Sequence, residues 1–284
     1  MKILITGTNG FVGRNLSEYY QERYENVSCP KRGDLDLVDT DAVENYLDQD
    51  QFDVVVHCGV TLTSVEQNLK MYFNLERCSK SFGKLICVGS GSDYGPKNLI
   101  PPLVREDFFG DYVPADIYGF SKYVIAKNVE DDPKNITNLR VFGIYGKYED
   151  YTRRFISNNI CRVLAGKDIS INRNMLFDYL YVNDFSRMLE IFIKNDPLQK
   201  SYNICTSDPI DFLTYAAMIR DVDGGDLIIE VKQEGMNTEY SGDNTRFLQE
   251  FGNFSFTEPE VAISELYDWY RNTSGIKFDQ MELG

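Results

Sequence analysis

Apolar positions along this chain alternate between two periods. Ile3-Leu4-Ile5, the run Phe52 to Cys58 and the run Lys84 to Gly89 are short and nearly continuous, as in strands buried on both faces of a parallel sheet. Between them Leu16 to Tyr24, Val43 through Tyr46 and Leu47 to about Asp50, and Ser64 to Lys80 carry the three-and-four spacing of amphipathic helices. Asn26 to Arg32 reads as a short second strand. Asp36-Leu37 reads as another, so that Phe52 to Cys58 is the fourth and Lys84 to Gly89 the fifth. Asp39-Thr40-Asp41 supplies a helix N-cap. Strands that alternate with helices specify an α/β fold with a doubly wound parallel sheet. Right-handed crossovers then put every strand's C-terminal end, and any ligand, on one edge.

The second half keeps helical and strand periods in a less regular order. Tyr118 to Val129 and Tyr151 to Ala165, closed by Gly166, read as helices, with a short strand over Asp168 to Asn172. Leu180 to Ile193 is a strand turning into a helix, and Ser201 to Cys205 is the last strand of the main sheet. Asp208 and Pro209 open a helix over Ile210 to Ile219, Leu227 to Val231 is a strand, and Glu258 to Trp269 is a helix before a polar, loose tail after Asn272. No internal repeat or low-complexity tract interrupts the chain.

Composition narrows the partners. At 284 residues the chain suits one or two domains. A net charge of −15 argues against nucleic acid, which demands a basic face. No apolar stretch approaches the ~20 residues of a membrane span, and no signal peptide opens the chain, so a cytoplasmic protein is expected. Six cysteines without a CxxC pair read as reduced, mostly buried thiols. The single histidine, His57, ends a buried strand and reads as a packed, hydrogen-bonded residue; no metal site is expected.

The chemistry is organised around the opening stretch. Lys2 to Thr6 runs into Gly7, Gly10 and Gly13, and a helix follows. Glycines in that order let the backbone turn tightly and bring a pyrophosphate onto the helix N-terminus, a dinucleotide site. About 20 residues beyond such a loop a carboxylate usually accepts the ribose hydroxyls. Here Lys31 and Arg32 stand in that region, which points to a 2′-phosphate and NADP, with NAD the alternative. Tyr118 and Lys122 are four apart on one helix and share a face. A neighbouring ammonium favours phenolate, which would suit Tyr118 to proton exchange beside a hydride carrier. Ser90 or Ser92, at the end of the fifth strand, could orient a substrate carbonyl against it.

These residues carry a resemblance. The glycine triplet, the strand-end Ser90 four residues before Tyr94-Gly95, and Tyr118-x-x-x-Lys122 are similar to extended short-chain dehydrogenases/reductases, and more narrowly to those acting on nucleotide sugars. Leu139 to Gly146, Phe177 to Asp184, Tyr202-Asn203-Ile204 and Asp243 to Phe247 extend the match over nearly the whole chain. The resemblance implies a Rossmann dinucleotide-binding domain over residues 1–142 and 178–205. A smaller, interleaved substrate domain would cover 143–177 and 206–284. It also implies a catalytic set of Ser90, Tyr118 and Lys122. Cofactor contacts would come from Gly7, Asn9, Gly10, Phe11, Val12, Gly13, Lys31, Arg32, Asp36, Leu37, Cys58, Gly59, Val88, Val141 and Phe142 beside Tyr118 and Lys122. Substrate contacts would come from Ser92, Gly143, Arg153, Arg154, Arg173 and Arg246; arginines in this half suit the diphosphate of a nucleotide sugar. A homodimer and a place in surface-polysaccharide sugar biosynthesis are further implications.

Departures from the family pattern narrow the reaction. The dehydratases carry Asp-Glu after the catalytic Thr, where this chain has Gly91-Ser92. Residues 32–39 resemble GDP-fucose synthases, whose epimerising cysteine and histidine correspond to Ser92 and about Tyr148. What remains is reduction of a nucleotide-linked 4-keto sugar, as in the CDP-linked 4-keto-6-deoxyhexose reductases that residues 142–147 resemble. The alternatives are an NAD-dependent 4-epimerase and a non-catalytic dinucleotide-binding member of the fold. Gly143 and Phe177 stand where relatives often place Asn and Arg, so nucleotide recognition is expected to be built differently.

Overall fold

The computed structural model describes residues 1–131 and 134–276. The chain runs β1 (Lys2–Thr6), α1 (Phe11–Gln21), β2 (Asn26–Ser28), α2 (Thr40–Gln49), β3 (Phe52–His57) and α3 (Val65–Arg77). After β4 (Phe82–Val88) come three 3-10 turns, the first over Gly91–Tyr94, then α4 (Ile117–Asp131), β5 (Ile136–Val141) and β6 (Gly143–Tyr145). The second half holds α5 (Phe155–Leu164), β7 (Ile169–Asn174), β8 (Leu176–Phe177), β9 (Tyr179–Tyr181), α6 (Val182–Lys194) and β10 (Ser201–Ile204). It ends with β11 (Ile210–Asp211), α7 (Phe212–Asp223), β12 (Ile229–Met236), α8 (Thr245–Phe251) and α9 (Pro259–Asn272).

Six strands form one sheet in the order β10-β5-β4-β3-β1-β2, every pair parallel. The order reverses at β1, so a crevice opens outside the C-terminal ends of β1 and β3, where ligands of such sheets bind. One apolar core under the sheet is built from Ile3, Ile5, Val54, Val56 and Ile86 against α1 and α6; a second, on the other face, joins Leu4, Val55 and Leu85 to α2, α3 and α4. A separate core joins Ile156, Ile160, Tyr215, Ile263 and Leu266 of α5, α7 and α9 to β7. The doubly wound sheet is the one its alternating periods specify.

Several expected elements differ. Asp36-Leu37 is not a strand: the Asp34 and Leu35 N–H groups turn back onto the Lys31 carbonyl, and Asp39 N–H onto Asp36. Local turns consume the hydrogen bonds a strand would need, so β3 is the third strand and β4 the fourth. β2 stops at Ser28, before Pro30, which has no N–H to pair. β5, unassigned as a strand in the sequence reading, occupies a central place beside β4. α7 is capped by Asp211, whose carboxylate accepts from Leu213 and Thr214 N–H, not by Asp208, because residues 210–211 pair with β8. α5 begins at Phe155, since Asp150 folds residues 151–154 into a turn. Of the polar tail, residues 273–276 are described; the rest lies outside the described residues.

Candidate active site

The glycine loop forms as its spacing demands. Gly7 adopts φ +71°, in the left-handed region, and a Cβ on Gly13 would lie 2.3 Å from the Gly7 carbonyl oxygen. The start of α1 therefore presses directly onto the end of β1. At the N-cap of α1, Gly10 offers no side chain, and the first turn carries no acid. Free N–H groups with no competing carboxylate make an anion-binding helix end, and this fits a dinucleotide's pyrophosphate.

From this end a cleft of about 690 Å³ runs over the sheet edge. Its walls include Gly7, Asn9, Gly10, Phe11 and Val12 at one end and Ser90, Ser92, Tyr118, Lys122, Val141, Phe142 and Gly143 further along. Arg32, Asp36, Leu37, Cys58, Gly59 and Val88 also line it. Lys31 does not; its backbone N–H is tied to the Asp34 carboxylate and its side chain is exposed. Arg32, at the cleft, sits 3.7 Å from the Asp36 carboxylate.

α4 delivers the phenol and the ammonium. Asp116 accepts from Gly119 N–H at 2.8 Å and fixes the start of the helix. Lys122, only 8% exposed, donates to the Val88 carbonyl at 2.6 Å, and its ammonium lies 5.7 Å from the Tyr118 ring centre. Ser90 caps the 3-10 turn that follows β4, accepting from Ser92 N–H at 3.1 Å. Beneath this turn Asp93 and Arg140 form a buried pair at 2.9 Å, with Arg140 also reaching Glu130. Burial outweighs the neighbouring Arg140 charge and raises the Asp93 carboxyl to about 6. His57 is packed: its Nδ1 lies 2.9 Å from the Thr6 hydroxyl, and burial, then the Lys122 charge, lowers it to about 3.

Of the arginines named from sequence for the substrate, only Arg154 reaches the cleft. Arg246 instead bonds the Ser201 carbonyl and pairs with Glu106 at 3.5 Å, stitching α8 to the sheet. Arg153 and Arg173 lie outside the cleft wall. Among the lining residues not named as site candidates from the sequence are Lys97, Glu149, Tyr179 and Tyr240. The Lys97 ammonium stands 5.0 Å over the Tyr240 ring and 5.8 Å over Phe177. Burial, and then the Arg154 charge, holds it below the usual lysine range. Tyr148, at φ +70°, turns away to Glu18 and under the Arg14 guanidinium, and the next residue, Glu149, faces the cleft. Burial raises the Glu149 carboxyl to about 8; Ser157 donates to it at 2.6 Å. Phe177 fills the space beside Gly143, where a Cβ would lie 2.2 Å from the ring. No single-residue pattern marks these four: Lys97, Glu149 and Tyr240 come from connecting segments and Tyr179 from β9, and only the fold brings them to one cleft.

The NAD dependent epimerase/dehydratase family matches residues 3–205. The chain belongs to that family. It is of the extended short-chain dehydrogenase/reductase type, a class of NAD(P)-dependent enzymes. The GDP-6-deoxy-D-talose 4-dehydrogenase of Aggregatibacter actinomycetemcomitans is 24% identical over 298 aligned residues, covering 94% of this chain and 97% of the relative. In structure, a GDP-L-fucose synthetase from Naegleria fowleri superposes with a TM-score of 0.81 at 19% identity, over 94% of this chain and 92% of that one. A GDP-mannoheptose C4 reductase from Campylobacter jejuni, solved with NADP, gives 0.80 at 18% identity, over 95% and 98%. Among the described residues no helix is long and apolar enough to cross a membrane, and no cluster of His, Cys, Asp or Glu could hold a metal.

Proposed function

We propose that this family member reduces a nucleotide-linked 4-keto sugar with NADPH. The observation that carries the reading is the shared cleft: Ser90, Tyr118 and Lys122 line one wall-to-wall space with the bare N-terminus of α1. NADPH, when bound, supplies the hydride. Tyr118 stands to give the proton to the keto oxygen, Ser90 to hold that oxygen, and Lys122 to keep a positive charge beneath the phenol. Water elimination needs a free acid–base pair beside the serine. Gly91 and Ser92 offer none, and Asp93 is fully buried against Arg140. Arg154 and Lys97 are assigned to the substrate diphosphate. Both line the cleft, the Arg154 charge acts on Lys97, and among the described residues neither meets a carboxylate at ion-pair distance. Arg32 is assigned to the 2′-phosphate of NADP. The 4-dehydrogenase relative, named for redox chemistry at a sugar nucleotide, supports the same substrate class.

The test is NADPH oxidation with a panel of 4-keto nucleotide sugars. Tyr118→Phe should lower turnover by about 10²–10⁴-fold, the usual contribution of general acid–base catalysis, with NADPH affinity unchanged. Equal turnover by the variant would end the mechanism. Isomerisation by protein carrying bound NAD, with no NADPH consumed, would replace the reductase by a 4-epimerase.

A further inference from the structure

The cleft wall holds a carboxyl that the proposed reaction does not use, Glu149. The residue before it, Tyr148, holds φ +70°, which a non-glycine residue keeps only where its surroundings fix it. Here they do: its ring centre lies 3.6 Å from Arg14 Cζ and 5.1 Å from the Trp269 ring, and its hydroxyl donates to Glu18 at 2.6 Å. The chain then turns at once, with the Arg153 and Arg154 N–H groups both returning to the Asp150 carbonyl. Glu149 and Arg154 therefore flank one closed turn, and both line the cleft. α5 follows with no side-chain cap and no acid in its first turn, an end whose field favours an anion.

Glu149 is only 6% exposed, and Ser157, in the first turn of α5, donates to its Oε2 at 2.6 Å. Among the described residues that is the only side-chain hydrogen bond of either residue, and no cation stands within ion-pair distance of the carboxyl. A carboxyl removed from water without a counter-ion keeps its proton. Ser157 has committed its own proton to Oε2, so the acid proton belongs on Oε1. Oε1 meets no partner among the described residues yet keeps some contact with solvent, so it opens on the cleft. The titratable groups whose fields reach the carboxyl are Asp150 and Arg154 on its own segment, and Tyr145 of β6, Tyr179 of β9 and Tyr270 of α9. Burial keeps all three phenols protonated. The wall thus offers a neutral O–H donor together with Arg154 and Lys97. A ligand that satisfies all three carries negative charge and several acceptor oxygens, as a diphosphate does and a sugar hydroxyl does not.

We propose that Glu149 is a substrate-binding residue whose carboxyl O–H donates to the substrate diphosphate, a third contact beside Arg154 and Lys97. This rests on the reading of those two cations as the diphosphate site. An ionised side chain there would repel the phosphates and offset one of the two charges. The neutral acid adds a hydrogen bond and leaves both charges to the ligand.

The test is calorimetric binding, with NADP present, of UDP, GDP, CDP, dTDP and ADP and of inorganic pyrophosphate. Glu149→Gln keeps a donor in place and cannot ionise. At pH 7 its dissociation constant should match that of the wild type within about twofold, since one donor replaces another. Between pH 7 and pH 9 the wild type should lose about tenfold more affinity than the variant, because the carboxyl, raised to about 8, ionises in that range. Lys97, held below the usual lysine range, loses charge in the same direction, and its share persists in both proteins. Glu149→Ala should weaken binding at pH 7 about tenfold, with NADPH affinity unchanged. Weaker binding by Glu149→Gln at pH 7, or the same pH dependence in variant and wild type, overturns the proposal. An alanine effect seen with UDP-glucose or GDP-mannose but with no nucleoside diphosphate moves Glu149 to the sugar and overturns it as well. If the wild type binds neither the nucleoside diphosphates nor pyrophosphate, the diphosphate reading of Arg154 and Lys97 falls, and the proposal with it.

Discussion

Glu149 shows how far a single side chain can depart from what its neighbours in sequence imply. The positive φ at Tyr148 sends that ring outward and turns the next carboxyl into the cleft. With its folded value raised from 4.5 to about 8, Glu149 keeps a proton that the unfolded chain has lost between those pH values. Its contribution to stability is fully present below about pH 4.5 and fades as the pH rises through 8, at up to about 1.4 kcal/mol per pH unit. Glu149→Gln should remove that slope, so the difference in melting temperature between variant and wild type should grow from pH 5 to pH 8. A constant difference would show that the carboxyl is not held neutral. Lys97 is a second case. Lys97→Ala should raise the KM for the nucleotide sugar by roughly 10- to 100-fold, the scale of a charge-assisted hydrogen bond, while NADPH affinity holds. Equal KM values would take Lys97 out of the diphosphate site. Neither residue was legible in the sequence: a lysine or glutamate in a loop is by default a solvated charge, and only the approach of separate segments makes it otherwise.

At the scale of elements, the joint between β1 and α1 was readable because a local covalent reason stands behind each glycine. Gly13 has no room for a methyl group, so Gly13→Ala must push α1 off the loop. The expected cost is about 1–3 kcal/mol of stability, with at least a tenfold loss in NADPH affinity measured by fluorescence titration. Unaltered affinity would mean that the helix end does not hold the pyrophosphate. The misread elements have an equally local cause. Leu37 lies in the core as a strand residue would, but the Asp34, Leu35 and Asp39 N–H groups turn back within the segment and the Leu37 carbonyl accepts from the Asn74 side chain. The start of α7 moved from Asp208 to Asp211 because the intervening residues found a β partner in β8. Capping chemistry was correctly sensed; which aspartate uses it depends on a strand more than thirty residues away.

For the whole molecule the cleft is the meeting place of two cores, the sheet with its helices and the cluster of α5, α7 and α9. A ligand that binds there stabilises the folded chain by mass action, about 2.7 kcal/mol at a concentration 100 times its Kd. If Arg32 takes a 2′-phosphate, NADPH should raise the melting temperature more than NADH at equal concentration, and Arg32→Ala should close that gap. Equal shifts in the wild-type protein would assign the site to NAD.

The amino-acid order by itself determined the parallel sheet, the glycine turn and the helical pairing of Tyr118 with Lys122. All three rest on short-range spacing, where a period of two or 3.6 residues and the absence of a Cβ leave the backbone little choice. Which cations and phenols face the ligand was decided in three dimensions. Arg154 and Lys97 enter the cleft while Arg153, Arg173 and Arg246 do not, and Tyr240 comes from beyond β12 into the wall that holds Ser90. Those contacts join residues far apart along the chain, and their geometry follows from packing that no local pattern records.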